Sequence, residues 1–324
     1  MLNVLNLTER ACHAHAGVAL TIGNFDGVHR GHQAMLARLK EAAAHRGLPA
    51  AVMTFEPHPR EFFTPTQAPA RLTSLREKLE LMQALGVDLV YLCRFGSRFA
   101  ALTAEEFIAR ILLDTVRAKW VLVGDDFRFG ARRAGDFTLL ARAGRQYGFE
   151  AETLPSVLVD GTRVSSTAVR EALAAGDMAW AARLLGRPYS ISGRVVHGDK
   201  LGVQLGFPTA NIQMKHNRPP LSGIFAVELC GLDGAISGQC LPGVASLGVR
   251  PTVKENGVPT LEVHVFDFHE RLYGAHVRVN FLHKLRDEEK YPTLEALIAQ
   301  IERDVAEARR FFDARAQRGP SHQG

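Results

Sequence analysis

Short apolar runs alternate with segments of helical periodicity through the first half of the chain. Val18–Ile22 and Ala51–Phe55 are nearly continuous apolar runs, typical of strands buried on both faces. Between them, the apolar residues of 31–46 share one helical face, which predicts a helix that ends at Gly47. The alternation predicts a parallel sheet with helices on both faces, where ligands bind at the carboxyl ends of the strands. Three further strands are predicted, at Val87–Cys93, Trp120–Val123 and Ala151–Leu154.

The pattern changes near Gly186-Arg187-Pro188. Beyond this point short apolar segments alternate with Gly, Pro and Asn, and helical periodicity returns only over Thr293–Phe312. This pattern predicts a small closed barrel followed by a terminal helix. We therefore expect two domains, 1–186 and 187–324, which suits a chain of 324 residues. The predicted barrel strands are Arg194–His197, Ile224–Cys230, Val244–Gly248, Leu261–Phe266 and His276–Leu282.

Composition narrows the class of protein. Hydrophobic residues make up 46% of the chain and charged residues 23%, as in ordinary globular proteins. No apolar run reaches the roughly 18 residues needed to span a membrane, and the first residues lack the layout of a signal peptide. We therefore expect a cytosolic (cytoplasmic) protein without membrane partners. The four cysteines form no Cys-x-x-Cys pair, which argues against a zinc ribbon or a redox pair and favours buried free thiols.

The formal net charge of +5 and the pI of about 9.2 suit nucleic acids or acidic small molecules as ligands. Basic residues are scattered, apart from short pairs such as Arg132-Arg133, and no recognised nucleic-acid motif is present. We therefore expect phosphorylated small molecules, and no nucleic acid, as partners. The expected oligomeric state is a monomer or a weak homo-oligomer.

The segment 23–32 joins the first predicted strand to the first predicted helix. Backbone N–H groups at a helix start attract phosphate, and Gly27 and Gly31 allow close backbone approach. His29 and His32 share one helix face, and their imidazoles can donate hydrogen bonds to phosphate oxygens. Alternatively the pair is a metal site or two surface histidines, although no cysteine lies at ligand spacing. The strand, glycines and helix together favour an ATP site that is not a Walker loop.

Three other polar segments follow predicted strands or begin a helix. Arg163 precedes Ser165-Ser166-Thr167, which is either a phosphate-binding helix start or an ordinary N-cap. Gly124-Asp125-Asp126 either contacts a ribose or second substrate, or is a polar turn. Phe55 and His58 could stack on a flat ring, although the prolines that flank His58 equally indicate a rigid loop.

The second predicted domain holds two candidate groups. Pro208 fixes the backbone beside Thr209 and Asn211, whose side-chain oxygens lie on one side of an extended chain. Hard oxygens suit Mg²⁺ with substrate phosphates, but a proline turn with a capping Asn explains them slightly better. Glu262 shares a strand face with His264. A solvated face would give Glu262 no function, whereas a costly carboxylate inside the barrel would suggest a general base.

The histidine segment resembles the nucleotidyltransferase superfamily. Together with seven later motifs, it resembles the prokaryotic bifunctional riboflavin kinase/FMN adenylyltransferase family, often called FAD synthetase, from about Val18 to Ala308. The resemblance implies an α/β plus β architecture: a Rossmann-like nucleotidyltransferase domain with a parallel sheet, then a riboflavin kinase-like antiparallel barrel. The matching segments are 23–32, 54–60, 124–130, 164–167, 186–189, 206–211, 261–264 and 284–288.

The resemblance implies that the first domain transfers AMP from ATP to FMN, giving FAD and pyrophosphate. His29 and His32 would be its catalytic residues, while Phe55 and His58 would contact the flavin. The residues implied to bind ATP here are Gly23, Asn24, Phe25, Asp26, Gly31, Asp126, Arg163, Ser166 and Thr167.

The same resemblance implies that the barrel phosphorylates the 5′-hydroxyl of riboflavin with ATP. Thr209 and Asn211 would hold Mg²⁺, Glu262 would take the hydroxyl proton, and Arg286 would lie by the flavin. Riboflavin, FMN and ATP are therefore the implied small-molecule partners, and Mg²⁺ is the implied cofactor.

One departure from the family pattern affects the predicted kinase. Val203 stands where such proteins usually carry Arg or Lys near the ATP phosphates, although Lys200 is close enough to bind them instead. The alternatives are an adenylyltransferase whose barrel only binds flavin, a regulator without turnover, or a nucleic-acid-binding protein. The intact motif residues argue against the first two, and salt-dependent binding to DNA or RNA would distinguish the third.

Overall fold

The computed structural model describes residues 2–7, 16–198, 206–215, 218–249, 259–268 and 270–317. Its backbone divides into two compact units. The first comprises Met1–Pro69 and Leu75–Ser166, and the second comprises Ala70–Ser74 and Thr167–Gly324.

The first unit is built on a six-stranded sheet in which every neighbouring pair is parallel, in the order β1-β4-β3-β2-β5-β6. Because β2 lies between β3 and β5, the chain leaves it toward one edge and later returns to its other side. Such a reversal of strand order is where open α/β sheets bind ligands. The strands are β1 (Asn3–Asn6), β2 (Val18–Ile22), β3 (Ala50–Glu56), β4 (Leu89–Arg94), β5 (Ala118–Gly124) and β6 (Glu150–Leu154).

The alternating side chains of β2 enter two separate cores. Val18 and Leu20 pack with Leu112 in one hydrophobic cluster, while Ala19 packs with Leu36 in another. Both faces of the sheet are therefore covered, which confirms the prediction made from the apolar runs. Short β1 was not predicted, because its four residues hold one apolar pair between two Asn residues, which is too brief a pattern to indicate a strand.

Helices connect the strands of the first unit. Helix α1 ends at Gly47, whose φ of 62° is the left-handed value that glycine accepts readily, as predicted. The side chain of Thr103 accepts a hydrogen bond from the Glu106 N–H, and the Glu106 carboxylate accepts one from the Thr103 N–H. The helices are α1 (Arg30–Arg46), α2 (Pro59–Phe63), α3 (Leu75–Ala84), α4 (Ser97–Ala100), α5 (Ala104–Glu106), a π-helix (Phe107–Thr115) and α6 (Phe137–Tyr147), and a hairpin of β7 (Leu158–Val159) and β8 (Thr162–Arg163) follows.

The second unit contains a closed six-stranded barrel in the order β10-β13-β12-β11-β14-β9. All of its pairings are antiparallel. Helices α7 (Ser166–Ala174) and α8 (Met178–Leu185) precede the barrel, and α9 (Leu294–Gln317) follows it. Among the described residues, no helix is both long and apolar enough to cross a membrane. The barrel strands are β9 (Tyr189–Val196), β10 (Ala210–Met214), β11 (Gly223–Gly231), β12 (Cys240–Val249), β13 (Pro259–Val265) and β14 (His276–Arg286).

Strand β10 was not predicted, and β13 resolves an alternative that the sequence left open. In β13 the side chains of Leu261 and Val263 are buried inside the barrel, and those of Glu262 and His264 are half-buried on its outer face. The hypothesis of a carboxylate inside the barrel is therefore wrong, because residues of opposite parity point to opposite sides of a strand.

The prediction of free thiols is wrong for Cys230 and Cys240, which form a disulfide in the structure. These residues are direct partners across the antiparallel pair of β11 and β12, with Cα atoms 4.0 Å apart. The sequence could not show this pairing, because it depends on the register of the two strands. Cys93 is free and buried as predicted, and burial raises the pKa of its thiol. Cys12 lies outside the described residues.

Candidate active sites

A cavity of about 200 Å³ lies at the carboxyl edge of the parallel sheet in the first unit. Residues that follow β2, β5 and β6 line it together with the residues where α7 begins. Six residues that the resemblance implied to be catalytic or ATP-binding line it together: His29, Gly31, His32, Asp126, Arg163 and Ser166.

The imidazoles of His29 and His32 are not two equivalent hydrogen-bond donors. His29 caps α1, and its Nδ1 accepts a hydrogen bond from the backbone N–H of His32 at 3.3 Å. When neutral, His29 therefore carries its proton on Nε2, which is the nitrogen that can donate to a ligand. The two imidazoles stack with centroids 3.6 Å apart. The first turn of α1 contains no acidic residue, so the positive end of the helix dipole is available to an anion.

The loop 25–28, which directly precedes the histidine pair, has a tightly bent backbone. Phe25 and Val28 are fully buried, although both have the left-handed backbone that glycine favours, with φ of 50° and 41°. The ring of Phe25 lies 4.9 Å from that of His32. Its side chain therefore packs under the histidine, and any contact of Phe25 with ATP is left to its backbone. Asp26 is also buried, and its carbonyl accepts a hydrogen bond from the Ser166 hydroxyl at 2.9 Å.

Three other predicted ATP ligands, Gly23, Asn24 and Thr167, are not among the residues that line the cavity. The carbonyl of Asn24 accepts a hydrogen bond from Thr54, and a Cβ at Gly23 would lie 3.1 Å from the Phe25 ring. Thr167 is exposed in the first turn of α7 and belongs to the second compact unit. Their predicted roles in binding ATP stay predictions.

Burial lowers the pKa of His32 well below its usual value, and the nearby charges of His29 and Lys78 lower it further. The Nδ1 atom of His32 is inaccessible to solvent, with no hydrogen-bond partner among the residues that the structure describes. His32 is consequently neutral at pH 7.

This neutral state predicts a specific dependence of stability on pH. In the unfolded chain a histidine takes up a proton below about pH 6.5, whereas the lowered pKa of folded His32 moves its protonation to lower pH. The contribution of His32 to the unfolding free energy is therefore fully present above pH 6.5, and it falls by up to about 1.4 kcal/mol per pH unit as the pH drops below that value. We expect His32→Gln to flatten the decline of the thermal midpoint between pH 7 and pH 5.

The matched control is His45→Gln, because His45 is exposed in the last turn of the same helix. The thermal midpoint of this control should decline between pH 7 and pH 5 as that of the wild type does. Equal declines for His32→Gln and the wild type would show that His32 titrates normally in the folded protein.

Arg163 lines the same cavity and forms ion pairs with two carboxylates. Its guanidinium donates to Asp126 at 2.7 Å and lies 3.5 Å from Asp125. Asp125 also accepts hydrogen bonds from the backbone and hydroxyl of Ser156. These bonds from Ser156, with a smaller effect of Arg163, lower the pKa of Asp125. All of these charges are exposed to solvent, so an incoming phosphate can compete for Arg163 at little cost.

Ser156 and Met35 also line the cavity, and neither was predicted as a site residue. Ser156 could have been predicted, because it lies just after β6, at the same edge of the sheet as the segments that follow the other strands. Met35 belongs to the apolar face of the helix predicted over 31–46, and the pattern did not indicate that it also lines the cavity.

A ladder of phenylalanines extends from the ends of β3 and β4. The ring of Phe55 lies 5.8 Å from that of Phe95, and Phe62 and Phe63 also pack edge-on against Phe95. Phe62 and Phe63 remain 37% and 63% exposed, so this ladder ends in an open aromatic surface. His58 is the N-cap of α2, where its Nδ1 accepts from the Arg60 N–H at 3.1 Å. The sequence identified Phe55 and His58 but missed the exposed rings.

The predicted kinase residues lie on the outer face of the barrel. Asn211 of β10 is the direct partner of Glu262 in β13, and Glu262 is in turn the partner of Ser246 in β12. Directly opposed residues of a sheet point to the same side, so the three side chains form a row. Thr209 extends it, with its Oγ1 3.4 Å from a carboxylate oxygen of Glu262.

Two glycines make room for side chains in and beside this row. A Cβ at Gly198 would lie 2.2 Å from the carboxamide nitrogen of Asn211, and a Cβ at Gly248 would lie 1.9 Å from the carboxylate of Glu288. Burial raises the pKa of Glu288, although a hydrogen bond with Ser246 opposes the shift. The carboxylate of Glu288 therefore lies beside the row, a position that the sequence did not reveal.

Arg286 ends β14, and its guanidinium is already paired. Two of its nitrogens donate to the buried carboxylate of Asp304 in α9 at 2.8 and 2.7 Å. Hydrogen bonding to Asp304 raises the pKa of Arg286. The side chain joins the barrel to its terminal helix, and its predicted position by the flavin stays a prediction. Lys200 and Val203 lie outside the described residues.

The sequence matches two family models. One, described as FAD synthetase, matches residues 11–168, and the other, described as riboflavin kinase, matches residues 185–312. The two matches follow one another along the chain.

Relatives align over nearly their whole length. A protein of Escherichia coli strain K12 is 52% identical over 297 residues, which cover 91% of this chain and 93% of that protein. A protein of Haemophilus influenzae is 46% identical, over 92% of this chain and 95% of its own. Both are described as bifunctional riboflavin kinase/FMN adenylyltransferase. A crystal structure described as a macrolide-efflux protein from Streptococcus pneumoniae has a TM-score of 0.78 and 29% identity, and covers 93% of this chain and 97% of that one.

Proposed function

The chain belongs to the bifunctional riboflavin kinase/FMN adenylyltransferase family, and we propose that its two reactions use the cavity of the first unit and the outer face of the barrel. The FAD synthetase part is N-terminal and the riboflavin kinase part is C-terminal. Both activities use ATP. The single observation that supports this assignment of sites best is that six residues predicted for the first reaction line one cavity, while Thr209, Asn211 and Glu262, predicted for the second, lie together on the barrel.

In the adenylyltransferase reaction, an oxygen of the FMN phosphate attacks the α-phosphorus of ATP, and the bond to the bridging oxygen of pyrophosphate breaks. We propose that Nε2–H of His29 and the imidazole of His32 donate to the phosphoryl oxygens on which charge increases. Arg163 and the start of α1 would hold the remaining phosphate charge. Such a site needs no covalent intermediate, because positioning and charge stabilisation supply the rate increase.

The isoalloxazine ring of FMN needs a flat apolar surface near the cavity. The open end of the phenylalanine ladder offers one at the ends of β3 and β4, beside β2. We propose that the flavin packs there, with Phe55 supporting Phe95 from within and Phe62 and Phe63 facing the ring. His58 would contribute by fixing the start of α2.

In the kinase reaction, the 5′-hydroxyl oxygen of riboflavin attacks the γ-phosphorus of ATP, and ADP leaves. We propose that Glu262 takes the hydroxyl proton. The half-buried position of Glu262 on the outer face leaves its carboxylate accessible to a substrate.

The donor set beside Glu262 fits Mg²⁺. Thr209 and Asn211 supply neutral hard oxygens, and the missing Cβ of Gly198 leaves the space that the Asn211 carboxamide occupies. Mg²⁺ retains several waters and is bound by few protein oxygens together with substrate phosphates. Bound there, Mg²⁺ would neutralise charge on the phosphates of ATP. Among the described residues, no cluster of three or more His, Cys, Asp or Glu could hold a metal ion.

This assignment predicts a separate metal response for each reaction. We expect Asn211→Ala to raise the Mg²⁺ concentration for half-maximal FMN formation by about 10–100-fold, since even the loss of a contact that orients a metal ligand has that effect. Formation of FAD from supplied FMN should keep its Mg²⁺ dependence in the same preparation. The measurement is a Mg²⁺ titration of both reactions.

Gln213→Ala is the control, because Gln213 lies two residues further along β10 on the same face and is exposed. It should leave both titrations unchanged. An equal shift of both reactions in Asn211→Ala would contradict a metal site on the barrel.

We also propose that the functional boundary lies between residues 186 and 187. The two family matches, which end at 168 and begin at 185, support a boundary in this region. In the backbone contacts α7 and α8 group with the barrel, so the functional and compact units need not divide at the same residue.

A further inference from the structure

We propose that His264 is a positioning residue of the kinase site: its imidazole holds the carbonyl of Pro208 and thereby keeps Thr209 beside Glu262. The inference rests on the proposed kinase site and adds a residue to it. The pairing of β10 with β13 ends at Ala210, which is the residue that follows Thr209 in the chain.

Backbone pairing alone does not fix Thr209. The residue pairs between β10 and β13 run from Ile212 opposite Leu261 to Ala210 opposite Val263. Thr209 lies one residue beyond the last pair, and Pro208 before it has no N–H with which to extend the ladder.

The side chain of His264 supplies the missing contact. Its Nδ1 lies 2.9 Å from the Pro208 carbonyl oxygen. A carbonyl only accepts, so Nδ1 carries the hydrogen and donates it. The ring of Phe207 stands edge-on to the imidazole, with centroids 5.6 Å apart and an interplanar angle of 83°. The imidazole therefore contacts the segment immediately before Thr209 through both a hydrogen bond and a ring contact.

The register explains why this contact matters for catalysis. Continued by one step, the pairing of Ala210 with Val263 sets Thr209 opposite His264, on the face that also carries Asn211 and Glu262. The four side chains then form a square, across which Thr209 Oγ1 lies 3.4 Å from Glu262. A shift of about 1 Å at such a site can cost about 100-fold in rate.

A pair of amide variants tests this role. Asn places its amide N–H close to the position of histidine Nδ1, whereas the longer Gln places it close to that of Nε2. We expect His264→Gln to lower kcat/KM for FMN formation by about 10–100-fold, mainly through the KM for Mg·ATP. His264→Asn should restore most of this loss. Thermal melting and riboflavin binding, followed by quenching of flavin fluorescence, should show that both barrels are folded.

Two results would overturn the inference: wild-type kinetics for His264→Gln, or an equal loss in the Asn and Gln variants when both are folded. Glu262→Gln is measured alongside to separate this inference from the proposed site. If Glu262→Gln is inactive while His264→Gln is fully active, only the role of His264 is wrong. If Glu262→Gln also forms FMN normally, the proposed kinase site itself is wrong.

Discussion

Replacing His29 with alanine should abolish FAD formation and leave the conversion of riboflavin to FMN intact. His29 lines the cavity of the first unit, and because its Nδ1 caps α1, Nε2–H is the donor that we propose for the phosphoryl oxygens. Loss of one preorganised donor to an oxyanion typically costs about 10²–10³-fold in kcat. The measurement is the initial rate of FAD formation from FMN and of FMN formation from riboflavin, in the same preparation.

Alanine also removes the helix cap, which costs about 0.5–2 kcal/mol. His29→Asn separates the two effects, because Asn is a good N-cap without an imidazole Nε2. It should recover thermal stability but not FAD formation, and exposed His45→Ala on the same helix should change neither reaction. Normal FAD formation by His29→Asn would show that the histidine acts only as a cap.

Replacing Glu262 with glutamine should have the opposite outcome, with FMN formation lost and FAD formation from supplied FMN retained. Glutamine keeps an oxygen that can accept from Thr209 and has no basic carboxylate, so the variant tests proton removal rather than packing. A positioned general base contributes about 10²–10⁴-fold to a rate. The measurement is kcat for FMN formation at saturating Mg·ATP and riboflavin.

Glu302→Gln is the matched control, because Glu302 is an exposed glutamate in α9. It should keep both activities. Retention of FMN formation by Glu262→Gln would exclude the carboxylate as the base, and loss of both reactions in a folded variant would contradict two independent sites.

The sequence predicted those features that depend on local pattern. The buried run Val18–Ile22 and the glycine-terminated helix after it are set by hydrophobic spacing and by backbone preferences of neighbouring residues. The same spacing located the histidine cavity, because parallel strands bring their carboxyl ends to one edge.

Features that depend on pairing between distant strands were not predictable. Strand β10 has five residues with only one buried among them, so it lacks a clear alternating pattern, yet it carries Asn211. The period of two showed that Glu262 and His264 share a face but not which face points outward. Likewise, nothing local indicates that Cys230 and Cys240 face one another across β11 and β12.

The positions of the imidazole and phenylalanine rings in the first unit were likewise not predictable from local sequence. Stacking of His29 on His32 follows from the cap that His29 makes, which a spacing of three residues alone does not reveal. The exposed rings of Phe62 and Phe63 depend on how α2 packs against Phe95.

The most direct test of the account is to follow flavin products by chromatography after the purified protein is incubated with Mg²⁺, ATP and riboflavin. We predict that FMN appears first and is then converted to FAD with release of pyrophosphate, and that supplied FMN yields FAD directly. FAD from FMN but no product from riboflavin would contradict the kinase half of the account and make Val203 the first residue to examine. No conversion of either flavin would contradict both halves.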